Sequence, residues 1–183
     1  MKGDDLHTLP DDLPVPTDDG AADGLPGSRL PAVSLPATDG TDVTLAELPG
    51  RSVVFAYPRT GKPGESSLGG DAFWDSIPGA RGCTPQACAI RDSHARFEAL
   101  DVRVFGLSTQ STDDQREAAE RLHLPYPLLS DLDAALGLPT FEVEGVMLYK
   151  RLTLILRDGV VKDAIYPVFP PDRAAEQALE RLG

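Results

Sequence analysis

The 183-residue chain predicts an α/β fold, a central mixed β-sheet with helices on both faces. Three observations carry this expectation. Short apolar runs alternate with helix-favouring stretches from Leu30 onward. One of them, Ser52-Val53-Val54-Phe55-Ala56-Tyr57, is apolar at nearly every position, as a strand buried on both faces must be. The last part of the chain closes with a strand hairpin and a helix.

The elements follow in order. Residues 1–29 are rich in Asp, Pro and Gly, with Asp-Asp pairs at 4–5, 11–12 and 18–19, and lack the apolar surface that offsets ordering entropy. They read as an acidic extension, either a solubilising tail, the preferred expectation, or an arm along the domain; His7 sits there with no partner in view. The domain proper spans 30–183. Ala32–Leu35 and Val43–Leu45 flank the turn Thr38-Asp39-Gly40-Thr41, a helical turn follows to Leu48, and Pro58 ends the buried strand. Residues 60–79 are weakly patterned and read as an inserted loop, anchored by Trp74. A helix is expected from Thr84 to Leu100 with His94 on its surface, a strand over Val102–Leu107, and a helix from the capping pattern Thr112-Asp113-Asp114-Gln115 to Leu122. Pro127–Leu129 is a short strand and Ser130 caps a short helix to Leu136. Phe141–Val143 and Val146–Leu156 are strands, Arg157-Asp158-Gly159 turns the chain into Val160–Tyr166, and a helix capped by Pro170-Pro171-Asp172 runs to Leu182.

Composition narrows the function. A net charge of −12 argues against nucleic acid or an anionic membrane as partner, since both require a basic face. No apolar run approaches the roughly 18 residues of a membrane helix. The acidic start Met1-Lys2-Gly3-Asp4-Asp5 has no apolar h-region, which places the protein in the cytoplasm. There, two cysteines are redox-active or inert rather than a structural staple.

Both cysteines lie in Gly82-Cys83-Thr84-Pro85-Gln86-Ala87-Cys88, at a predicted helix start where Cys83 or Thr84 serves as cap and Pro85 suits the first turn. Unpaired N–H groups and the helix dipole there favour a thiolate. The plainer alternative is two small buried hydrophobes. The spacing of five differs from the Cys-x-x-Cys of a thioredoxin-type thiol–disulfide oxidoreductase, which remains the rival function. Three histidines at 7, 94 and 123 show no ligand spacing, which leaves little for a metal-binding reading.

The strand ending at Pro58, Gly82-Cys83-Thr84 with Cys88 and Arg91-Asp92, then Val104–Ser108, Pro127–Asp131 and Arg151-Leu152-Thr153-Leu154-Ile155 follow one another in an order that resembles the PrxQ, or bacterioferritin-comigratory-protein-like, branch of the peroxiredoxins. The resemblance extends from about Leu30 to the C-terminus and implies a thioredoxin-like fold. It implies a peroxidase that reduces hydrogen peroxide and organic hydroperoxides through Cys83 as peroxidatic cysteine. Cys88 is then the resolving cysteine, giving an intrachain disulfide that thioredoxin or a similar protein reduces, with no metal, flavin or haem. Arg151 matches the family arginine that stabilises thiolate and peroxide; Arg81 is a second possible cation. The expected assembly is a monomer or weak dimer.

One departure stands out. The family pattern Pro-x-x-x-Thr/Ser-x-x-Cys would place a hydroxyl at position 80 and a proline at 76, where this chain has Ala80 and Ser76. The simplest repair keeps Pro58, a shield for the sulfur, and Thr60, the hydroxyl, in place and loops the insertion out behind them. Ser76 and Thr84 are the other hydroxyls in range.

Overall fold

The computed structural model describes residues 6–183. The Asp4-Asp5 pair and the acidic start that lacks an apolar h-region lie outside the described residues. The central sheet has five strands in the order β5-β4-β3-β8-β9, where β3 is Arg51–Ala56, β4 Val102–Ser108, β5 Leu128–Ser130, β8 Leu152–Arg157 and β9 Val160–Ile165. β3 runs parallel to β4 and antiparallel to β8, so the sheet is mixed. Its central strand is the apolar run: Ser52 to Ala56 is buried without interruption, because both faces are covered.

The two faces have different covers. Val53, Phe55, Val104 and Ile155 meet Ile90 of α2 (Cys83–Asp92), Phe97 of α3 (His94–Ala99) and Leu179 of α5 (Ala174–Leu182). Val54, Ala56, Phe105, Leu107 and Leu154 meet Leu35, Leu45, Leu138 and Tyr149 on the other side. The hairpin of β1 (Ser34–Pro36) and β2 (Asp42–Thr44) and the 3-10 turn Leu45–Glu47 lie there. Helix α4 (Thr112–Arg121) packs on β5. The β8–β9 turn is built as its residues require: Asp158 and Gly159 both have positive φ, 50° and 76°, the pair of angles of a type I′ hairpin.

Several sequence expectations need correction. The helix expected from Thr84 to Leu100 is two, α2 and α3, parted at Ser93, whose N–H reaches both Ala89 and Ile90 carbonyls; the bend lets Phe97 bury completely and meet Phe55 edge-on. The cap of α2 is Gly82 rather than Cys83 or Thr84, and α4 is capped by Ser111, whose hydroxyl accepts from the Asp114 N–H. No helix forms over Ser130–Leu136. Asp131 is buried instead and its carboxylate accepts from the N–H groups of Ala135 and Leu136 and from the Tyr149 hydroxyl, which holds a pair of turns. The strand expected over Val146–Leu156 breaks at Lys150-Arg151: β7 (Val146–Tyr149) pairs with β6 (Thr140–Val143) in a separate hairpin, and β8 pairs with β3.

The N-terminal segment is an arm along the domain from Leu6 onward, not the solubilising tail the composition favoured. Asp19 takes the Lys150 ammonium at 2.8 Å and the Tyr166 hydroxyl at 2.9 Å. Further on, Gly27 N–H donates to the Val161 carbonyl and Val161 N–H to the Ser28 carbonyl, which adds the end of the arm to the edge of β9. The stretch 60–79 carries a short helix, α1 (Asp71–Ser76), pinned by Trp74 against Ala80, Val143 and Leu148.

Candidate active site

Cys83 is the first residue of α2. The residue before it must be glycine: Gly82 has φ +110°, and a Cβ there would stand 2.7 Å from the ring of Pro171 and 2.8 Å from Leu9. This tight entry sets the Cys83 sulfur at the mouth of the helix, where the first N–H groups have no intrahelical acceptor and the dipole is positive. Cys83 is buried, 5% exposed, and its sulfur stands 3.8 Å from the Ala80 carbonyl oxygen.

Arg151 reaches this sulfur because it occupies the break between β7 and β8, where the chain passes from the small hairpin into the central sheet. Its Nη2 lies 3.2 Å from Cys83 Sγ. The same guanidinium donates to the carbonyls of Gly79, Ala80 and Arg81 at 3.1–3.3 Å and to the side-chain oxygen of Gln86. The oxygen atoms among these partners are neutral, so the buried guanidinium, 3% exposed, turns its positive charge towards the Cys83 sulfur. Arg81 turns the other way, to Asp75 at 3.1 Å, although it borders the same cavity.

That cavity has a volume of about 920 Å³ and opens over Cys83; the stretch from Arg59 to Asp71 forms one wall of it. Thr60, Trp74, Thr84 and Gln110 line it with the sulfur. Thr60 is buried, with its N–H and hydroxyl both directed at the Gln110 side-chain oxygen, 3.0 and 3.2 Å away, which leaves the hydroxyl's lone pairs available. Ser76 is exposed on α1 and gives its hydroxyl to the Phe73 carbonyl. Pro58 is buried at the end of β3 and lines no part of the cavity.

Cys88 lies on the same helix, half-buried, and both thiols are free. Burial pushes the Cys88 thiol above the ordinary range, against a smaller opposite pull from Arg91. His7 of the arm stands beside it, Nδ1 to Sγ 3.9 Å. Gln86, Gln110 and His7 have no local sequence signal for the places they hold; each is brought in by a partner far along the chain. Tyr57 is a further case: it directs its hydroxyl to Gln115 behind the sulfur, and burial raises its phenol well above the usual range. Among the described residues no three His, Cys, Asp or Glu side chains gather as metal ligands would, and no helix is long and apolar enough to cross a membrane.

Comparison with known proteins gives the family. The redoxin family model matches residues 25–180. The chloroplastic peroxiredoxin Q of Suaeda salsa is 30% identical over 161 residues, which cover 85% of this chain and 66% of that protein. Peroxiredoxin bcp1 of Schizosaccharomyces pombe is 32% identical over 107 residues, 57% of this chain and 46% of the relative. This chain thus spans about two thirds of the plant relative and less of the yeast one. The crystal structure of peroxidoxin BcpB from Mycobacterium tuberculosis superposes with a TM-score of 0.66 at 28% identity, covering 86% of this chain and 95% of that one. Xanthomonas campestris peroxiredoxin Q, 23% identical with a TM-score of 0.64 over 84% of this chain and 93% of its own, shares the fold. This chain therefore belongs to the redoxin family, with peroxiredoxin Q and bcp proteins as its relatives and their thioredoxin-like fold as its own.

Proposed function

We propose that the protein is a thiol-dependent peroxidase in which Cys83 is the peroxidatic cysteine, Cys88 the resolving cysteine and a thioredoxin-like dithiol protein the reductant. The observation that carries the reading is the Arg151 guanidinium 3.2 Å from the Cys83 sulfur, at a helix start beneath an open cavity. The Cys83 thiolate attacks one peroxide oxygen, the O–O bond breaks, and the leaving oxygen takes a proton from solvent to depart as alcohol or water, so that the sulfur becomes a sulfenic acid. Arg151 holds the charge on the sulfur before attack and on the leaving oxygen as it develops. Thr60 supplies the hydroxyl that accepts from the peroxide, in place of the residue that Ala80 replaces, and Pro58 fixes the end of β3 from which Thr60 is presented. Cys88 then displaces the sulfenic oxygen as water and forms a disulfide with Cys83. The external dithiol reduces that bond, and the cycle calls for no metal, flavin or haem.

A site of about 920 Å³ is far larger than hydrogen peroxide and of the size that holds organic ligands, which supports organic hydroperoxides as substrates beside it. Because both cysteines belong to one chain, the cycle runs in a monomer or a weak dimer. It needs a compartment that keeps dithiols reduced, and the acidic composition fits the cytoplasm.

The test is consumption of hydrogen peroxide and of an organic hydroperoxide with thioredoxin and its reductase supplied. Cys83→Ser abolishes turnover; Cys88→Ser gives one fast reduction and then stalls, or continues only with small thiols. Full activity in Cys83→Ser refutes the assignment. Insulin reduction without peroxide turnover identifies the rival thiol–disulfide oxidoreductase.

A further inference from the structure

Resolution requires the Cys88 thiol to lose its proton before or as it attacks the oxidised Cys83, and the surroundings of Cys88 work against that loss. Burial is the leading effect on this thiol and favours its neutral form. On its own helix, Arg91 is committed to Asp92 at 2.9 Å and to the Leu122 carbonyl at 2.8 Å. On α4, Arg121 is paired with Glu117 at 2.6 Å and donates to the Gly61 carbonyl at 2.9 Å. Tyr126, also close to the sulfur, donates its hydroxyl to the Ala87 carbonyl at 2.9 Å, and burial holds its proton firmly. Asp92 is fixed by Arg91 and its charge opposes a thiolate.

His7 is different in kind. Its Nδ1 lies 3.9 Å from Cys88 Sγ, within reach of a sulfur hydrogen bond, and imidazole is the side chain suited to moving a proton near neutral pH. Its position is set by the arm on both sides. Leu6 rests its side chain against Gly61, where a Cβ would stand 2.9 Å from its end. Leu9 closes on Gly82 in the same way, Pro16 rests against Gly79, and Asp19 ties the arm to Lys150, the neighbour of Arg151. The arm thus touches the chain just after Thr60 and just before Cys83, and brings one histidine to the second sulfur.

We infer that His7 is the general base of the resolving step, taking the thiol proton of Cys88 so that this sulfur attacks the sulfenic acid of Cys83. The inference rests on Cys88 being the resolving cysteine. His7 Nδ1 accepts the proton while α2 is closed, and the Cys88 sulfur carries the electron pair into the new S–S bond. The S–O bond of Cys83 breaks, the departing hydroxide takes up a proton to become water, and His7 returns its proton to solvent. No oxidant beyond the peroxide already consumed is required.

The experiment is a single-turnover oxidation of the full chain with stoichiometric peroxide, quenched by a thiol-alkylating reagent at timed intervals. Disulfide formation is read by mass across a pH series. Wild type, His7→Ala, His7→Asn and Cys88→Ser are compared. His7→Ala slows disulfide formation about tenfold or more near neutral pH, at or below the lower end of general-base effects because water is a partial substitute. The deficit shrinks as pH rises and the Cys88 thiol ionises unaided. His7→Asn, which keeps a polar group at the position of Nδ1 but no basicity, is as slow as His7→Ala. A wild-type rate in His7→Ala, a deficit of constant size at every pH, or full rescue by Asn overturns the inference and leaves the peroxidase reading intact. Failure of Cys83 in Cys88→Ser to gain oxygen on exposure to peroxide, read by mass, refutes the peroxidase reading itself.

Discussion

Replacing Ala89 with glycine tests whether α2 must open for the enzyme to complete its cycle. Cys83 and Cys88 lie in one helix. Five residues of α-helix rise about 7.5 Å and turn about 140° beyond a full circle, which puts the two Cα atoms about 8.7 Å apart. A disulfide tolerates at most about 7 Å. Bond formation therefore has to unwind the segment from Cys83 to Cys88, and with it the carbonyl acceptors for N–H groups as far as Asp92. Opening also breaks the Arg151–Gln86 and Tyr126–Ala87 contacts, so the state that reacts with peroxide and the state that holds the disulfide exclude each other. Ala89 is half-exposed and does not line the cavity over Cys83, so the change acts mainly through backbone propensity. Glycine in a helix interior is about 1 kcal/mol less favourable than alanine, which makes the open form about fivefold more populated. With opening as a fast pre-equilibrium, Ala89→Gly forms the disulfide about fivefold faster than wild type in the quenched single-turnover assay, while Tm falls by about 2–4 °C. Hydrogen exchange over residues 83–92 rises on oxidation. A lowered Tm with an unchanged rate of disulfide formation, or equal exchange in both redox states, refutes the reasoning.

Arg151→Ala slows the reaction of Cys83 with peroxide by about 100-fold or more, in line with loss of a donor to developing negative charge, and Arg151→Lys recovers only part because it lacks the planar fork; a stopped-flow rate within about twofold of wild type for Arg151→Ala contradicts the role given to this residue. Thr60→Val lowers peroxide reactivity about tenfold, the worth of one hydrogen bond, and Ser76→Ala leaves it unchanged; the opposite pattern means that the inserted loop supplies the hydroxyl. Hydrogen bonds from Lys150 and then Tyr166 hold the Asp19 carboxyl down at about 2, from an ordinary 3.8. A depressed carboxylate stabilises fully above its ordinary value and loses that effect as pH falls through the folded one. Asp19→Asn therefore loosens the arm above pH 3.8, seen as faster hydrogen exchange over residues 6–29, and wild type converges on the variant as pH falls towards about 2. An arm equally protected in both proteins above pH 3.8 contradicts the anchoring role.

The sheet was legible where one stretch of chain determines one outcome. The run Ser52–Ala56 needed two covered faces whatever its neighbours were, and Asp158-Gly159 carries its turn in its own dihedral preferences. The paired cysteines and Arg151 were legible as a pattern of residue types. What escaped depends on partners remote in sequence. Val146–Leu156 looks like one strand because its residues suit one; it is two because the first half finds β6 and the second finds β3. The Ser130–Leu136 helix yields to a single buried carboxylate whose third partner, Tyr149, is 18 residues away. The arm was hidden in the same way. Its Asp and Pro content reads as solvated chain, and the contacts that dock it, Asp19 to Lys150 and Leu6 to Gly61, span 131 residues in one case and rely on the absence of a side chain in the other.

The position of Trp74 has a practical consequence. It is the one tryptophan of the chain, 5% exposed, packed on Ala80 three residues before Cys83, and it shares a cavity wall with that sulfur. Excited at the red edge of protein absorption, where the four tyrosines contribute little, the molecule emits from a single place, and that place adjoins the Cys83 sulfur. Oxidation of the sulfur and unwinding of the helix that carries it both alter the polarity and the quenching groups around this indole. The protein thus brings its own optical probe: oxidation of Cys83 and opening of α2, in the proposed cycle, are open to fluorescence in the unlabelled protein, with no dye attached to either cysteine.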